Sequence, residues 1–303
     1  MRHSSRAGRV LTVSLLAISL RVGLCFAGQD APYVPSSDGV VLQTVPSISD
    51  PRVRAFDALR GLQAGRPDDM PLAVKLSMAY LDYGRDTGDA RYLGRAAALI
   101  APWMRREPVP VPVLLVHATI LQSRHYFAEA RAELMKILAQ QHDNVQAWLT
   151  LATVAQVQGD FATARQSCRY LLSASQFLVP LVCLSSLNAV TGHAASATRI
   201  LGALWPQMQA QPAAVQAWMQ GIMADAAKYE GDTTAADRHY RIALQLAPGD
   251  NFLLAEYGDF LLDENRPRAV LSLVKDYSAS DTSFLRQVRA EMALHAPGAA
   301  SDA

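Results

Sequence analysis

The sequence predicts an all-α protein, built as a solenoid of about six stacked helix pairs. Three observations lead to this fold class. Apolar residues recur at helical spacing almost everywhere from about residue 70, a small residue returns with a period close to 34, and short glycine-containing turns separate the helical segments. The short β-branched runs lie inside helical windows, so no segment is predicted to be a strand.

The first 27 residues predict an export signal. Arg2, Arg6 and Arg9 form a positive head, Val10 to Leu20 is an uncharged apolar stretch, and residues 25–27 provide a cleavage site of the kind that signal peptidases use. Such a short apolar stretch is well below the roughly 20 residues of a membrane span. We therefore expect an exported protein, bacterial periplasmic or secreted, whose mature chain does not insert into the membrane. An uncleaved anchor or a chance apolar start is the alternative.

The charge balance excludes an electrostatic surface for nucleic acid. The 303 residues include 28 basic and 27 acidic side chains, and the first 27 residues hold four arginines and no acid. The remainder therefore carries 24 basic and 27 acidic residues, with the two signs interspersed. Proteins that bind nucleic acid mainly through its phosphates concentrate basic charge on one face. No nucleic-acid partner is expected.

The ends of the remaining chain predict little regular structure. Residues 28–52 hold four prolines among Ser, Asp and Gly, which predicts a flexible lead-in. A first helix is expected to begin near Arg52, so that residues 53–295 form the helical array. Residues 296–303 are a tail of small residues that we expect to be disordered.

Two series of small residues define the repeat. Within each series the spacing is 33 or 34 residues, apart from one step of 39 that both series share. The shared step predicts an insertion between units, placed at residues 204–212, where Pro206 and Pro212 are expected to interrupt the helix. The first series is Ala96, Ala130, Ala164, Ala197, Ala236 and Ala269, and the second is Ala118, Ala152, Ser185, Ala224 and Gly258.

Close helix packing explains why these positions are small. Two antiparallel helices approach closely only if both present a small side chain where they cross. The turn between them is marked by Gly159-Asp160, Gly192-His193 and Gly231-Asp232. Glycine can end the first helix with a positive φ, and aspartate can cap the second. Large side chains, among them Leu134 and Phe161, are expected to fill the space beside the crossing.

A period of 34 with two helices, small crossing residues, a Gly-Asp turn and a late proline at Pro248 resembles the tetratricopeptide repeat. The best copies are residues 111–144, 145–177 and 217–250, and looser copies are 74–110, 178–216 and 251–280. The resemblance implies a right-handed superhelix, here with a C-terminal capping helix at residues 282–294. It identifies the fold and leaves the function open, because such repeats occur in proteins with unrelated roles.

The cysteines leave two readings open. Cys25 lies in the export signal, which leaves Cys168 and Cys183. In an oxidising compartment these two could form a disulfide, and the alternative is two small buried apolar side chains. No CxxC pair or metal-binding spacing is present.

No motif predicts catalysis, a cofactor or a metal site. The sequence contains no HExxH, GxSxG, GxGxxG or GxxxxGK[ST] pattern. Ser185-Ser186 with His193 could supply a nucleophile and a base, but no third member is evident to orient them. We therefore expect a protein that is not an enzyme, with an enzyme whose site is unrecognised as an alternative.

The concave face of the array is the predicted place for function, since in this repeat family the first helix of each pair lines the inner groove. Amides, hydroxyls, aromatics and charges of mixed sign are expected there. A groove of this composition suits an extended peptide backbone or a helix with a polar face. The predicted groove residues are Gln122, Gln146, Thr153, Gln156, Trp218, Asp225, Lys228, Phe252 and Asp259.

These features predict a non-catalytic protein-protein interaction scaffold in the cell envelope, which binds a protein or peptide partner in its groove. A structural accessory subunit of a secretion or polysaccharide-export machine is the alternative from a different class. The sequence does not indicate an oligomeric state or the partner's identity.

Overall fold

The fold was analysed in a computed structural model that describes residues 37, 51–174, 178–275, 277 and 280–295. The chain divides into two compact units, residues 1–47 and 48–303. Every described residue except Ser37 belongs to the second unit. The predicted export signal, nearly all of the lead-in and the C-terminal tail lie outside the described residues, and those predictions stay predictions.

The described part of the second unit consists of helices and short turns, as the apolar periodicity predicts. No strand occurs among these residues, and none of their helices has both the length and the apolar character needed to cross a bilayer. The helices are α1 (Pro51–Gly65), α2 (Met70–Thr87), α3 (Arg91–Met104), α4 (Val111–Ser123), α5 (Phe127–Gln140), α6 (Val145–Val157), α7 (Phe161–Ala174), α8 (Leu178–Val190), α9 (Ala194–Met208), α10 (Ala213–Glu230), α11 (Thr233–Leu246), α12 (Asn251–Asp263), α13 (Pro267–Lys275) and α14 (Asp281–His295).

Consecutive helices from α2 to α13 pack as six antiparallel pairs, which confirms the predicted helical solenoid. The small-residue series lie at the centres of these pairs. Ala96, Ala130, Ala164, Ala197 and Ala236 have no exposed surface, and all five members of the second series are buried. Because alanine adds only one carbon beyond the backbone, the two helices of a pair can approach closely at these positions.

The turns within the pairs follow the predicted chemistry. Gly159, Gly192 and Gly231 have φ between 75° and 82°, which places them in the left-handed region that favours glycine. Asp160 and Asp232 then cap the next helix, with carboxylate oxygens 3.0 and 2.9 Å from the backbone N of the third residue after each.

The insertion is real, but Pro206 does not interrupt the helix as expected. Helix α9 continues through Pro206 to Met208, and α10 begins after Pro212. Helix α10 has 18 residues where α4, α6, α8 and α12 have 13. The additional residues therefore lengthen α10 by about one turn at its start. A helix can be extended at its end without moving the point where it crosses its partner.

The last pair departs from the predicted crossing. Ala269 is only half-buried, and its neighbour Val270 is fully buried instead. Gly258 faces the C-terminal helix, since a Cβ added there would lie 3.0 Å from Arg286 Cγ. Helix α13 has only nine residues, and α14 packs on α12 beside it. Helix α14 thus caps the array.

Beside the crossings, Leu134 is fully buried as predicted, whereas Phe161 is 38% exposed. Phe161 is the first residue of α7, at the end of the pair, where less of the neighbouring helix is available to cover it.

Cys168 and Cys183 form a disulfide with their Cα atoms 5.7 Å apart. Cys168 lies on α7 and Cys183 on α8, so the bond joins the last helix of one pair to the first helix of the next. The sequence left open a disulfide or two buried free thiols, and the structure has the disulfide. The bond also ties together the two helices on either side of residues 175–177.

The first helices of the six pairs form a closed circuit of contacts. Helix α2 packs on α4, and the contacts continue through α6, α8 and α10. Gly221 on α10 meets Leu253 on α12, and α12 then packs against α2, some 165 residues earlier in the chain. We call these six the inner helices. The sequence analysis did not anticipate the contact between the first pair and the last.

Polar groups at the turns hold this contact, which we call the closure. Asn251 donates its side-chain N–H to the carbonyl oxygen of Asp86, and Ser280 donates to the Asn251 side-chain oxygen at 3.0 Å. Gly88, with φ of 69°, lies against both residues, so the turn after α2 comes close to the turn before α12. Arg52 of α1 pairs with the Asp86 carboxylate at 2.8 Å.

We predict that Ala164→Leu lowers the free energy of unfolding by about 1–3 kcal/mol, because three added carbons must be accommodated where α6 and α7 cross. Urea denaturation measures the change. Ala162→Leu is the matched control on the exposed side of the same helix and should change stability by less than about 0.5 kcal/mol. Equal effects of the two substitutions would contradict the crossing role of Ala164.

We predict that Asn251→Ala speeds amide hydrogen exchange in residues 82–90 by about fivefold, since the closure loses its hydrogen bond of roughly 1 kcal/mol to the Asp86 carbonyl. Exchange read out by mass spectrometry tests this. Gln140→Ala, which removes an exposed amide at the end of α5, should leave that exchange unchanged. Unchanged exchange in Asn251→Ala would show that the closure contributes nothing to the stability of α2.

Candidate functional site

Four of the six inner helices border a partly open cavity of about 290 Å³. Its walls come from α6, α8, α10 and α12, with apolar side chains such as Leu149 and Ile222 beside polar and aromatic ones. We call this space the inner cavity. It lies at the small end of the roughly 300–1,000 Å³ that ligand pockets occupy.

Five of the nine predicted groove residues line the inner cavity together. Their positions on α6, α10 and α12 follow from the repeat, because equivalent positions of successive first helices face the same side. Phe252 is 62% exposed, which is unusual for a large aromatic side chain. The five are Thr153, Gln156, Trp218, Asp225 and Phe252.

The other four predicted residues are not among those that line the inner cavity. Gln122 is half-buried at the end of α4, and Gln146 is exposed at the start of α6. Lys228 lies one helical turn beyond the cavity wall, 3.5 Å from the Asp225 carboxylate. Asp259 pairs with two arginines of the C-terminal helix, Arg286 at 2.6 Å and Arg289 at 2.7 Å.

Gln156 and Ser186 connect two of the cavity walls. Their side chains lie 3.3 Å apart, with Gln156 on α6 and Ser186 on α8. Both groups retain further hydrogen-bonding capacity, because an amide has two donors and an oxygen with two lone pairs, and a hydroxyl has two lone pairs of its own. This side of the cavity is therefore able to hydrogen-bond a peptide backbone.

The carboxylates of Asp225 and Asp250 line the part of the inner cavity that α10 and α12 form. The hydroxyl of Tyr240 donates to Asp225 at 2.8 Å, and burial with the adjacent Asp225 charge raises the pKa of Tyr240 far above its ordinary value. Asp250 caps α12, accepting from the backbone N–H groups of Phe252 and Leu253 at 2.9 and 3.1 Å. Both carboxylates are thus fixed in position by neighbouring groups.

Glu256 is the cavity residue that the sequence reasoning missed. It lies on α12, one turn after Phe252, and no donor of the described residues hydrogen-bonds to its carboxylate. Burial, reinforced by the charges of Asp225 and Asp250, raises its pKa to about 8. The signal was available, since Glu256 stands four residues after the predicted Phe252, within one turn on the same face.

A second cavity, of about 340 Å³, lies beside the closure. Residues of α2, the turn before α3, α4, α12 and α14 line it, and Phe252 belongs to the walls of both cavities. Phe252 therefore stands between the two spaces on the inner face.

The serines and the histidine that could have supplied a nucleophile and a base lie in different environments. Ser185 is buried at a helix crossing, Ser186 faces the inner cavity, and His193 is exposed in the turn before α9. His117 bonds to Glu133 at 2.8 Å, which joins α4 to α5. Within the described ranges, no group of three or more His, Cys, Asp or Glu residues is arranged to hold a metal ion.

No family model matches the chain, and no curated protein matches it. Among solved structures, the chain is similar to one described as the APC/C hetero-tetramer Cut9-Hcn1, with 13% sequence identity and a TM-score of 0.58. The match covers 82% of this chain and 48% of that one, so the present chain spans about half of its length.

A second solved structure, a tetratricopeptide repeat protein from Parabacteroides merdae ATCC 43184, is 14% identical with a TM-score of 0.47. That match covers 80% of this chain and 88% of the other. The similarity to the first structure, taken with the observed array of helix pairs, supports the tetratricopeptide-repeat fold that the spacing predicted. At such low identity the likeness concerns the fold alone.

Proposed function

We propose that the protein is a non-catalytic interaction scaffold that binds a short extended segment of a partner protein in the inner cavity. The observation that carries this proposal is Phe252, an aromatic side chain that is 62% exposed and lines two cavities at once. Exposed aromatics in a concave site are typical anchors for binding. The wall formed by Gln156 and Ser186 supplies hydrogen bonds for a peptide backbone.

The size of the cavity narrows the earlier choice between an extended peptide and a helix. A helix with its side chains is roughly 10–12 Å across. A cavity of about 290 Å³ holds only a few side chains, so a short extended segment suits it better. Because the packed helix pairs already fix the cavity walls, binding requires little ordering of the scaffold.

We also propose that the protein acts in the cell envelope after export. The arginine-rich and apolar start of the chain supports export. The Cys168–Cys183 disulfide is in keeping with it, because disulfides persist mainly in oxidising compartments.

The second candidate function is a structural subunit of an envelope machine, attached through the outside of the array. Phe284, Leu285 and Met292 on α14 favour it, since each is at least half exposed. A group of exposed apolar side chains on a terminal helix is typical of a contact with another protein.

Capture from an envelope extract separates these two functions. We predict that Phe252→Ala and Trp218→Ala each lose the captured partner by about tenfold or more, as anchors in an interface do. Phe284→Ala is the matched control, an aromatic 67% exposed on α14. Loss of the partner in Phe284→Ala alone would instead support the accessory subunit. Thermal melts must show that all three variants are folded.

A pH titration of stability tests whether the inner cavity is built for binding at the expense of stability. Glu256 has an ordinary pKa near 4.5 in the unfolded chain and about 8 in the folded one. The folded state therefore holds the proton more tightly, and stability falls as pH rises from about 4.5 to 8.

We predict that Glu256→Gln removes this part of the pH dependence and makes the protein more stable at pH 8 by about 1 kcal/mol or more. Urea denaturation at pH 5 and pH 8 measures it, and Glu264→Gln, an exposed position just after α12, is the control. A Glu256→Gln variant that is less stable than the parent at pH 8 would show that Glu256 serves the fold and not the site.

A further inference from the structure

We propose that the inner cavity is selective for a lysine or arginine side chain presented by an extended segment of the partner. This inference rests on the proposed function and specifies the chemistry of what the cavity receives.

The charged residues that line the inner cavity are all acidic. Asp225, Asp250 and Glu256 line the inner cavity, and no Lys, Arg or His lines it among the described residues. In a partly enclosed space the negative charge of Asp225 and Asp250, and of Glu256 once it is ionised, is weakly screened. A cationic group is therefore the complementary occupant.

The neighbouring cations do not cancel this charge. Lys228 lies 3.5 Å from the Asp225 carboxylate. Its single positive charge can balance only one of the three carboxyl groups. Arg286 and Arg289 are both engaged by Asp259, outside the cavity wall. Glu256 has no hydrogen-bond donor among the described residues, so its carboxylate remains available to a ligand.

The apolar and aromatic part of the wall suits the stem of the same side chain. Trp218, Phe252 and Ile222 line the cavity together with the carboxylates. Lysine and arginine carry three or four methylene groups below the charged end, and these groups pack on apolar surface. Aromatic rings also attract cations directly.

The protonation of Glu256 is a second consequence of the same negative charges, and it can be measured. The groups that act on it are Asp225 and Lys228 of α10, together with Asp250 and Asp259 at the start and on the face of α12. Burial and the surrounding negative charges raise its pKa to about 8. A bound cation stabilises the ionised form, so binding releases a proton and should tighten as pH rises from 6 to 8.

The experiment begins with selection of random peptides, displayed on phage, against the purified protein. We expect enriched peptides that share one lysine or arginine flanked by apolar residues. Enriched peptides with no shared basic residue would overturn the inference and leave the proposed function standing. A selection that enriches no peptide would contradict the proposed function itself.

A synthetic copy of the best selected peptide, fluorescently labelled at its C-terminus, then shows whether the basic side chain or the terminal amine of the peptide is recognised. With an acetylated N-terminus, replacing the basic residue by norleucine should weaken binding by about tenfold or more, the loss expected for a charge-assisted hydrogen bond. If acetylation of the N-terminus abolishes binding and the norleucine replacement does not, a terminal amine is the ligand and the inference is wrong.

Two variants assign the effect to the cavity. At pH 8, Asp225→Asn and Glu256→Gln should each weaken binding of the lysine peptide by about tenfold while leaving binding of the norleucine peptide within about twofold. Asp263→Asn, an exposed carboxylate at the end of α12, is the matched control and should change neither affinity. Equal weakening of both peptides in the cavity variants would overturn the inference, because it would indicate a structural loss.

The pH dependence gives a readout that loss of packing would not change. The affinity for the lysine peptide should rise by up to about tenfold per pH unit below pH 8, and Glu256→Gln should abolish the slope. The norleucine peptide should bind with no such slope. A slope that persists in Glu256→Gln would contradict the assignment to this residue.

Discussion

The close crossing of each helix pair through very small side chains is the constraint on which the rest of the structure depends. Ala130, Ala164 and Ala236 have no exposed surface, and their partners Ala118, Ala152 and Ala224 are equally covered. Because the first five crossings are set by the same small contact, each of these pairs adds to the next with a similar rotation. The position of a residue along its helix therefore decides whether it faces the partner helix, the next pair or the inner face.

These repeated rotations bring the last pair to the first. The turn at Asp86–Gly88 meets Asn251 and Ser280, although they lie far apart in the chain. The contact with α2 fixes the position of α12, which forms one wall of the partly open inner cavity. Phe252 and Glu256 on α12 then share a cavity wall with Trp218 and Asp225 on α10. The chemistry of the site is thus a consequence of where the array closes.

The sequence predicted what depends on neighbouring segments and missed what depends on distant ones. The period of the alanines predicted the six pairs, and Gly231-Asp232 predicted its turn, because both are set within about 34 residues. The closure through Asn251 depends on rotations summed over six pairs, which spacing does not encode. Asp259 was expected to face the groove, and the structure pairs it with Arg286 and Arg289 of α14, whose position the repeat does not determine.

The site shows the same division. Five of the nine predicted residues line the cavity because the inner positions of first helices follow the repeat. Glu256 was not predicted as a site residue, because a glutamate on a helix is ordinarily exposed to solvent. Only the packing of α12 among α2, α10 and α14 makes its environment enclosed and acidic.

The central claim is that the first and last pairs are in contact, so that α12 is held in place as a wall of the binding cavity. Pulsed electron paramagnetic resonance between spin labels at Ala90→Cys and Gly249→Cys tests it most directly, since both positions are exposed beside the closure and the remaining cysteines are paired once Cys25 is replaced by serine. The account predicts a single narrow population at short distance in the free protein. A broad distribution centred at long distance would show an open array in which α12 is not held against α2, and would contradict the account.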